Sequence, residues 1–137
     1  MKVMIDTNII ISAALFPKGR TAQALYKAMS FPYEPILCDY VIDELHRKFF
    51  EKFPDKKLEM ESFLYNLVSS VNVVKTPVES IELEMKIRDP KDRPILRAAL
   101  EEHADLFLTG DKDFLESSVV DPRIISAADF LSDQIKP

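Results

Sequence analysis

The sequence predicts a single α/β domain over residues 1–137, with a central, mostly parallel sheet of four to five strands and helices on both faces. Three observations carry this reading. Short apolar runs recur at residues 2–5, 35–38, 71–74, 104–109 and 123–125. Segments with apolar residues at helical spacing separate most of them, and strands alternating with helices imply βαβ units and parallel pairing. Several of the runs also stop on aspartate, at the carboxyl ends where open parallel sheets place their ligands.

The elements follow in order. Residues 2–5 form a first strand, Asp6-Thr7-Asn8 a polar turn, and 9–15 a mostly apolar segment. Phe16-Pro17-Lys18-Gly19-Arg20 is a loop, and Thr21 reads as the N-cap of a helix whose face is Ala22, Leu25, Tyr26 and Met29. A second strand at 35–38 ends on Asp39. Between 40 and 53, Val41, Ile42, Leu45, Phe49 and Phe53 recur at helical spacing, as do Met60, Phe63, Leu64 and Leu67 over 57–69. Residues 71–74 are rich in β-branched residues and read as a third strand. Residues 80–88 stay open between a short strand, a loop and a helical turn. Asp92 suits the N-cap of a helix with Pro94 in its first turn and Ile95, Leu96, Ala99 and Leu100 on its face. The strand at 104–109 leads into Thr109-Gly110-Asp111. A short helix, the strand at 123–125 and a helix near 127–131 complete the chain.

Bulk properties narrow the function. At 137 residues, 47% hydrophobic and 30% charged, the chain suits one ordinary globular domain. No apolar stretch approaches the roughly 18 residues of a membrane span, and the N-terminus has no signal-peptide pattern. The lone cysteine, Cys38, cannot form an internal disulfide and reads as a small buried apolar residue. A cytoplasmic location is expected. A net charge of −5 is unlike a general nucleic-acid-binding protein, although carboxylates gathered around a divalent cation lower the charge without making a groove repulsive.

The acids fall in a pattern. Asp6 follows the first strand, and Glu44 lies in the first turns of the helix after the second. Asp92 opens the helix before the fourth strand, Asp111 follows that strand, and Asp113 lies two residues on. In a parallel sheet these side chains can share one rim. Two carboxylates about 4 Å apart repel by ~1 kcal/mol in water and ~4 kcal/mol at an effective dielectric near 20. A converging set therefore calls for a cation, and oxygen ligands suit Mg²⁺ or Mn²⁺. No His/Cys set has zinc spacing. Each acid also has a plainer reading: Asp6 and Asp92 as helix caps, Glu44 as a surface helix acid, and Asp111 and Asp113 as turn formers. Asp89 serves equally as an outer acid of the site or as part of a proline turn. His46 and His103 lack partners at ligand spacing and read as exposed helix residues.

Asp6-Thr7-Asn8 after a strand, Glu44 early in a helix, Asp89-Pro90-Lys91-Asp92-Arg93-Pro94-Ile95 and Leu108-Thr109-Gly110-Asp111-Lys112-Asp113-Phe114 together resemble a PIN domain. The ordered set spans essentially the whole chain. Its last two segments are most similar to VapC toxins of bacterial and archaeal toxin–antitoxin pairs. The resemblance implies a Mg²⁺- or Mn²⁺-dependent ribonuclease with Asp6, Glu44 and Asp92 as an acidic triad and Asp111 as a fourth acid. Asn8 and Thr109 would steady the site, and metal-activated water would attack an RNA phosphodiester. It also implies a separate antitoxin protein and a homodimer, for which Tyr26, Phe50 and Tyr65 offer apolar helix residues. Lys91 and Arg93 flank Asp92 and are placed to meet phosphates, while Lys18/Arg20 and Arg47/Lys48/Lys52 read as solvated surface. Two rivals remain. A PIN-like module can bind RNA or protein without cutting. A haloacid-dehalogenase-type phosphohydrolase needs an acid two residues beyond its nucleophile, where this chain has Asn8.

Overall fold

The computed structural model describes residues 1–132; residues 133–137 of the expected domain lie outside it. Five parallel strands stand in the order β3-β2-β1-β4-β5: β1 (Lys2–Ile5), β2 (Glu34–Cys38), β3 (Asn72–Val74), β4 (Leu106–Leu108) and β5 (Arg123–Ile125). Between and beyond them lie α1 (Thr7–Leu15), α2 (Arg20–Ala28), α3 (Asp39–Lys52), α4 (Lys57–Val68), α5 (Arg93–Glu101), α6 (Lys112–Leu115) and α7 (Ala127–Ser132). The chain winds outward from β1 through β2 to β3. It then crosses to β4 on the other side of β1, so the strand order reverses between β1 and β4.

Both faces of the central strands are covered. Val3, Met4 and Ile5 are fully buried, as are Phe107 and Leu108. Successive strand residues point to opposite faces, so unbroken burial requires helices on both sides. The register pairs Ile5 with Leu108 and Leu108 with Ile125. Beyond it, the Asp6 amide still donates to the Leu108 carbonyl at 3.0 Å, and the Thr109 amide to that of Ile125 at 3.0 Å. These bonds hold the first residues past β1 and β4 side by side.

The elements expected from the sequence are present, with five differences. The polar turn expected at Asp6-Thr7-Asn8 is instead the start of α1, with Asp6 as its N-cap and Thr7 and Asn8 in its first turn. The helix after the first loop starts at Arg20, with Gly19 rather than Thr21 at its N-cap and no side-chain cap bond. The undecided segment 80–88 holds a 3₁₀ helix, Glu82–Lys86. His103 is exposed, as expected, but lies past the end of α5 with φ 54°, the left-handed conformation that closes a helix. Asp92 occupies the N-cap position of α5 but makes no cap bond, because its backbone is αR (φ −92°, ψ −15°) rather than extended. Its carboxylate is therefore free for other partners. Cys38 is buried, and no helix of the described residues is long and apolar enough to cross a membrane.

An ion pair ties the segment before α5 to that helix. Arg97 Nε and Nη2 donate to the two carboxylate oxygens of Glu84 at 2.8 and 3.1 Å, and Nη1 donates to the Pro77 carbonyl at 2.8 Å. The Glu84 side chain is 1% exposed. One turn earlier, Arg93 Nε donates to the Ile87 carbonyl at 2.9 Å. Removing one partner of a buried pair strands the other charge, at a cost of ~3–5 kcal/mol, whereas apolar replacement of both is often near neutral. Arg97→Leu is expected to lower stability in urea denaturation by about 3 kcal/mol, and adding Glu84→Leu to recover much of the loss. A loss below about 1 kcal/mol for Arg97→Leu would contradict this account.

Candidate functional site

The reversal of strand order sets the location. In open α/β sheets, ligands bind outside the carboxyl ends of the strands where the order reverses. Here that point lies between β1 and β4, which end at Asp6 and Thr109.

Asp6 is the inner acid, buried at 3% exposure. Its extended backbone (φ −76°, ψ 155°) makes it the N-cap of α1, and Oδ1 accepts from the Thr7 amide at 2.8 Å. Oδ2 accepts from the Thr109 hydroxyl at 2.7 Å, and that hydroxyl oxygen accepts from the Asp111 amide at 3.0 Å. Thr109 thus joins the ends of β1 and β4 through one side chain. Thr7 does the same toward α3, its hydroxyl donating to Glu44. Glu44 is buried despite lying on a helix, so its surface-acid reading fails here.

Asp111 is the N-cap of α6, with Oδ1 accepting from the Asp113 amide at 2.9 Å. Asp92 faces it across the edge. Carboxylate oxygens of Asp89, Asp92 and Asp113 lie within 4.8 Å of one another. Arg88 makes a two-pronged pair with Asp113, at 2.9 and 3.0 Å, and Asp89 Oδ1 accepts from the Lys91 amide at 3.0 Å. Tyr40 donates to the Lys91 carbonyl at 2.6 Å and so ties α3 to the loop that carries Asp92.

The electrostatics follow from burial and from the nearby acids. Burial pushes the Asp6 carboxyl up from 3.8 to about 6; the bonds from Thr109 and Thr7 oppose this, and the charges of Glu44 and Asp111 add to it. Burial also raises Asp92, to about 7, reinforced by the charges of Asp111, Asp6 and Asp89. The Tyr40 hydroxyl is raised by burial, with Glu44, Asp92 and Asp89 adding and Arg47 opposing.

Among the described residues the structure clusters the carboxylate oxygens of Asp89, Asp92 and Asp113. It links Asp6 to Glu44 through Thr7 and to Asp111 through Thr109. The expected set Asp6, Glu44, Asp92 and Asp111 does not converge within that 4.8 Å spacing. Asn8 lies exposed in the first turn of α1, outside this hydrogen-bond network. Lys91 is exposed and Arg93 half-buried. Sequence reading missed Thr7 and Tyr40. The signal for Thr7 was its place directly after Asp6; that for Tyr40 was its spacing of four from Glu44, which puts both on one helix face.

The donor set is all oxygen, which suits a hard divalent cation. Carboxyls held near 6 and 7 by burial and mutual repulsion are those that a divalent charge would relieve most.

An open, doubly wound α/β domain with carboxylates gathered at its switch point is the class that fold and site define. The chain belongs to the PIN domain family, whose model matches residues 2–113. Its fold is similar to a chain of VapBC2 from Rickettsia felis, solved bound to a DNA fragment from their promoter, at TM-score 0.72 and 19% identity over 92% of this chain and 98% of that one. It is also similar to a chain of DNA-bound VapBC from Salmonella typhimurium (TM-score 0.70, 14% identity, 93% and 98% covered). VapBC-1 from nontypeable Haemophilus influenzae gives TM-score 0.63 and 19% identity, with 93% and 99% covered. None of the curated proteins compared with this sequence matches it.

The raised carboxyls have a consequence for stability. Asp6 moves from 3.8 to about 6 and Asp92 from 3.8 to about 7 on folding. The folded state therefore holds these protons more tightly, so the stability they give is complete below about pH 4 and is lost as pH rises through 6 and 7. Metal-free protein is expected to show a falling contribution to its melting temperature between pH 5 and 8. Asp92→Asn is expected to flatten that slope and to melt a few degrees above wild type at pH 8. An unchanged slope in the variant would contradict the assignment.

Proposed function

We propose that the protein is a Mg²⁺- or Mn²⁺-dependent endoribonuclease, with Asp6, Glu44, Asp92 and Asp111 as its catalytic acids. The observation that carries this reading is the linked set of carboxylates at the β1/β4 switch point, held by Thr7 and Thr109. Asp6, Asp92 and Asp111 would hold the ion, with Glu44 as a further ligand or as the group that orients the attacking water. A bound divalent ion supplies a water of lowered pKa and charge neutralisation at the phosphate.

The chain's own residues prepare that chemistry. Thr7 and Thr109 fix the Asp6 carboxylate with one bond to each oxygen, leaving lone pairs on both. Buried among apolar strand ends, the site excludes bulk water from the inner acid, which strengthens every charge interaction there. Asp89 and Asp113 surround Asp92 and add negative charge, while Arg88 neutralises Asp113. Lys91 and the guanidinium nitrogens of Arg93 not bonded to Ile87 are proposed to meet RNA phosphates beside Asp92.

The likeness to chains of VapBC complexes supports the reading that this protein is the toxin of a toxin–antitoxin pair, working in the cytoplasm. The antitoxin would be a separate protein whose segment covers the acidic groove. Exposed Tyr26, Phe50 and Tyr65 are proposed to pack in a homodimer, which sedimentation velocity measures directly.

The test is cleavage of a fluorescent single-stranded RNA panel in Mn²⁺, Mg²⁺ or EDTA, together with melting in the same ions. Wild type is expected to cut only with metal and to melt higher in millimolar Mn²⁺, since binding to the native state stabilises it. Asp6→Asn and Asp92→Asn are each expected to reduce cutting at least 100-fold and to shrink the melting shift. Metal stabilisation without cutting of any RNA would favour a binding module. Cutting that survives both substitutions would refute the proposed site.

A further inference from the structure

One face of α3 carries a stripe that the core does not use. Positions 40, 43, 44 and 47 follow the i, i+3, i+4, i+7 spacing of a single helix face. That spacing usually marks an apolar stripe, yet here it holds Tyr40, Asp43, Glu44 and Arg47. The helix buries Val41, Leu45 and Phe49 toward the core. The polar stripe instead lines a cleft of about 280 Å³.

The cleft shares Glu44 with the acidic site. Glu44, which lines it, accepts from the Thr7 hydroxyl beside Asp6. The Tyr40 hydroxyl reaches the carbonyl of Lys91, next to Asp92, so its ring spans from α3 to the loop carrying that acid. At the other end, Arg47 Nη2 stands 3.7 Å from Glu44 Oε2, and the arginine side chain is 60% exposed. That separation is beyond hydrogen-bond length, so the guanidinium keeps donors for another acceptor. Seven residues of helix place Tyr40 and Arg47 about 10.5 Å apart along the axis.

We propose that this cleft is a nucleotide subsite of the cleavage groove. The Tyr40 ring stacks on a base next to the scissile phosphate, and Arg47 binds a neighbouring phosphate. An aromatic platform beside a planar cation is the pairing that single-stranded nucleic acid recognises: every base has a π face, and guanidinium matches phosphate oxygens. The volume, about 280 Å³, falls just below that of typical ligand clefts, which fits an open subsite for a single nucleotide of a longer strand. This inference rests on the ribonuclease reading and adds to it a determinant of how RNA is gripped.

The experiment is steady-state cleavage in Mn²⁺ of an RNA that wild type cuts, comparing Tyr40→Phe, Tyr40→Leu and Arg47→Gln, with melting curves to verify folding. Tyr40→Phe keeps the ring and loses the bond to Lys91, so its KM is expected within twofold of wild type. Tyr40→Leu is expected to raise KM about tenfold with kcat within threefold of Tyr40→Phe, which loses the same bond to Lys91, and Arg47→Gln to raise KM and weaken its salt dependence. A second arm alters the substrate: oligonucleotides with single abasic sites are expected to include one position whose loss raises wild-type KM about tenfold and leaves Tyr40→Leu unaffected. Equal KM for wild type and Tyr40→Leu, with wild type still cutting, would overturn the subsite while leaving the ribonuclease intact. Equal KM and kcat in Tyr40→Phe and Tyr40→Leu would also overturn it, reducing Tyr40 to a tether for Lys91. Failure of wild type to cut any RNA would overturn both.

Discussion

The site is organised by one buried carboxylate. Asp6 ends the central strand where the sheet is covered on both faces, and an ionised carboxylate there is costly unless polar groups compensate it. Two bonds do so in part, from the Thr7 amide and the Thr109 hydroxyl. They also fix geometry: Thr7 continues to Glu44 on α3, and Thr109 receives the Asp111 amide at the start of α6. Four elements are thereby registered on a single side chain. Burial still wins over these bonds and keeps the carboxyl raised, to about 6. The fold thus places an electrostatic cost at the point where the strand order reverses, a cost that a divalent cation would relieve.

Asp92 follows a different logic. It stands where a helix cap is expected, yet its αR backbone turns the carboxylate away from the α5 amides. Pro94 near the start of α5 has no N–H to cap in any case. The loop leading to Asp92 is instead held from three sides, by Arg93 on the Ile87 carbonyl, Arg88 on Asp113 and Tyr40 on the Lys91 carbonyl. With those anchors in place, Asp92 is free to face Asp111.

Much of this was legible in the sequence. The strands at 2–5 and 123–125 stand where the sequence places them. Val3, Met4 and Ile5 are fully buried and written as an uninterrupted apolar stretch, whereas the edge strand begins on exposed Arg123 and buries only Ile125. Asp6, Glu44, Asp92 and Asp111 were readable as a set because each sits just past a strand or at a helix start. Other features were not legible. Ser80–Arg88 alternates weakly, and its 3₁₀ helix is fixed by Arg97 and Glu84, a pair 13 residues apart that no local pattern announces. Gly19 rather than Thr21 caps α2 because the chain turns two residues earlier, with the Gly19 amide bonded to the Phe16 carbonyl. Thr7 and Tyr40 acquire their partners, Glu44 and Lys91, only through tertiary packing, at separations of 37 and 51 residues.

The central claim is that these carboxylates form one divalent-cation site. Its most direct test is a crystal of the protein soaked in Mn²⁺ and measured for anomalous scattering. The account predicts a peak bounded by Asp6, Asp92 and Asp111, lost in Asp92→Asn. A peak confined to exposed acids elsewhere, or none at millimolar Mn²⁺, would contradict it.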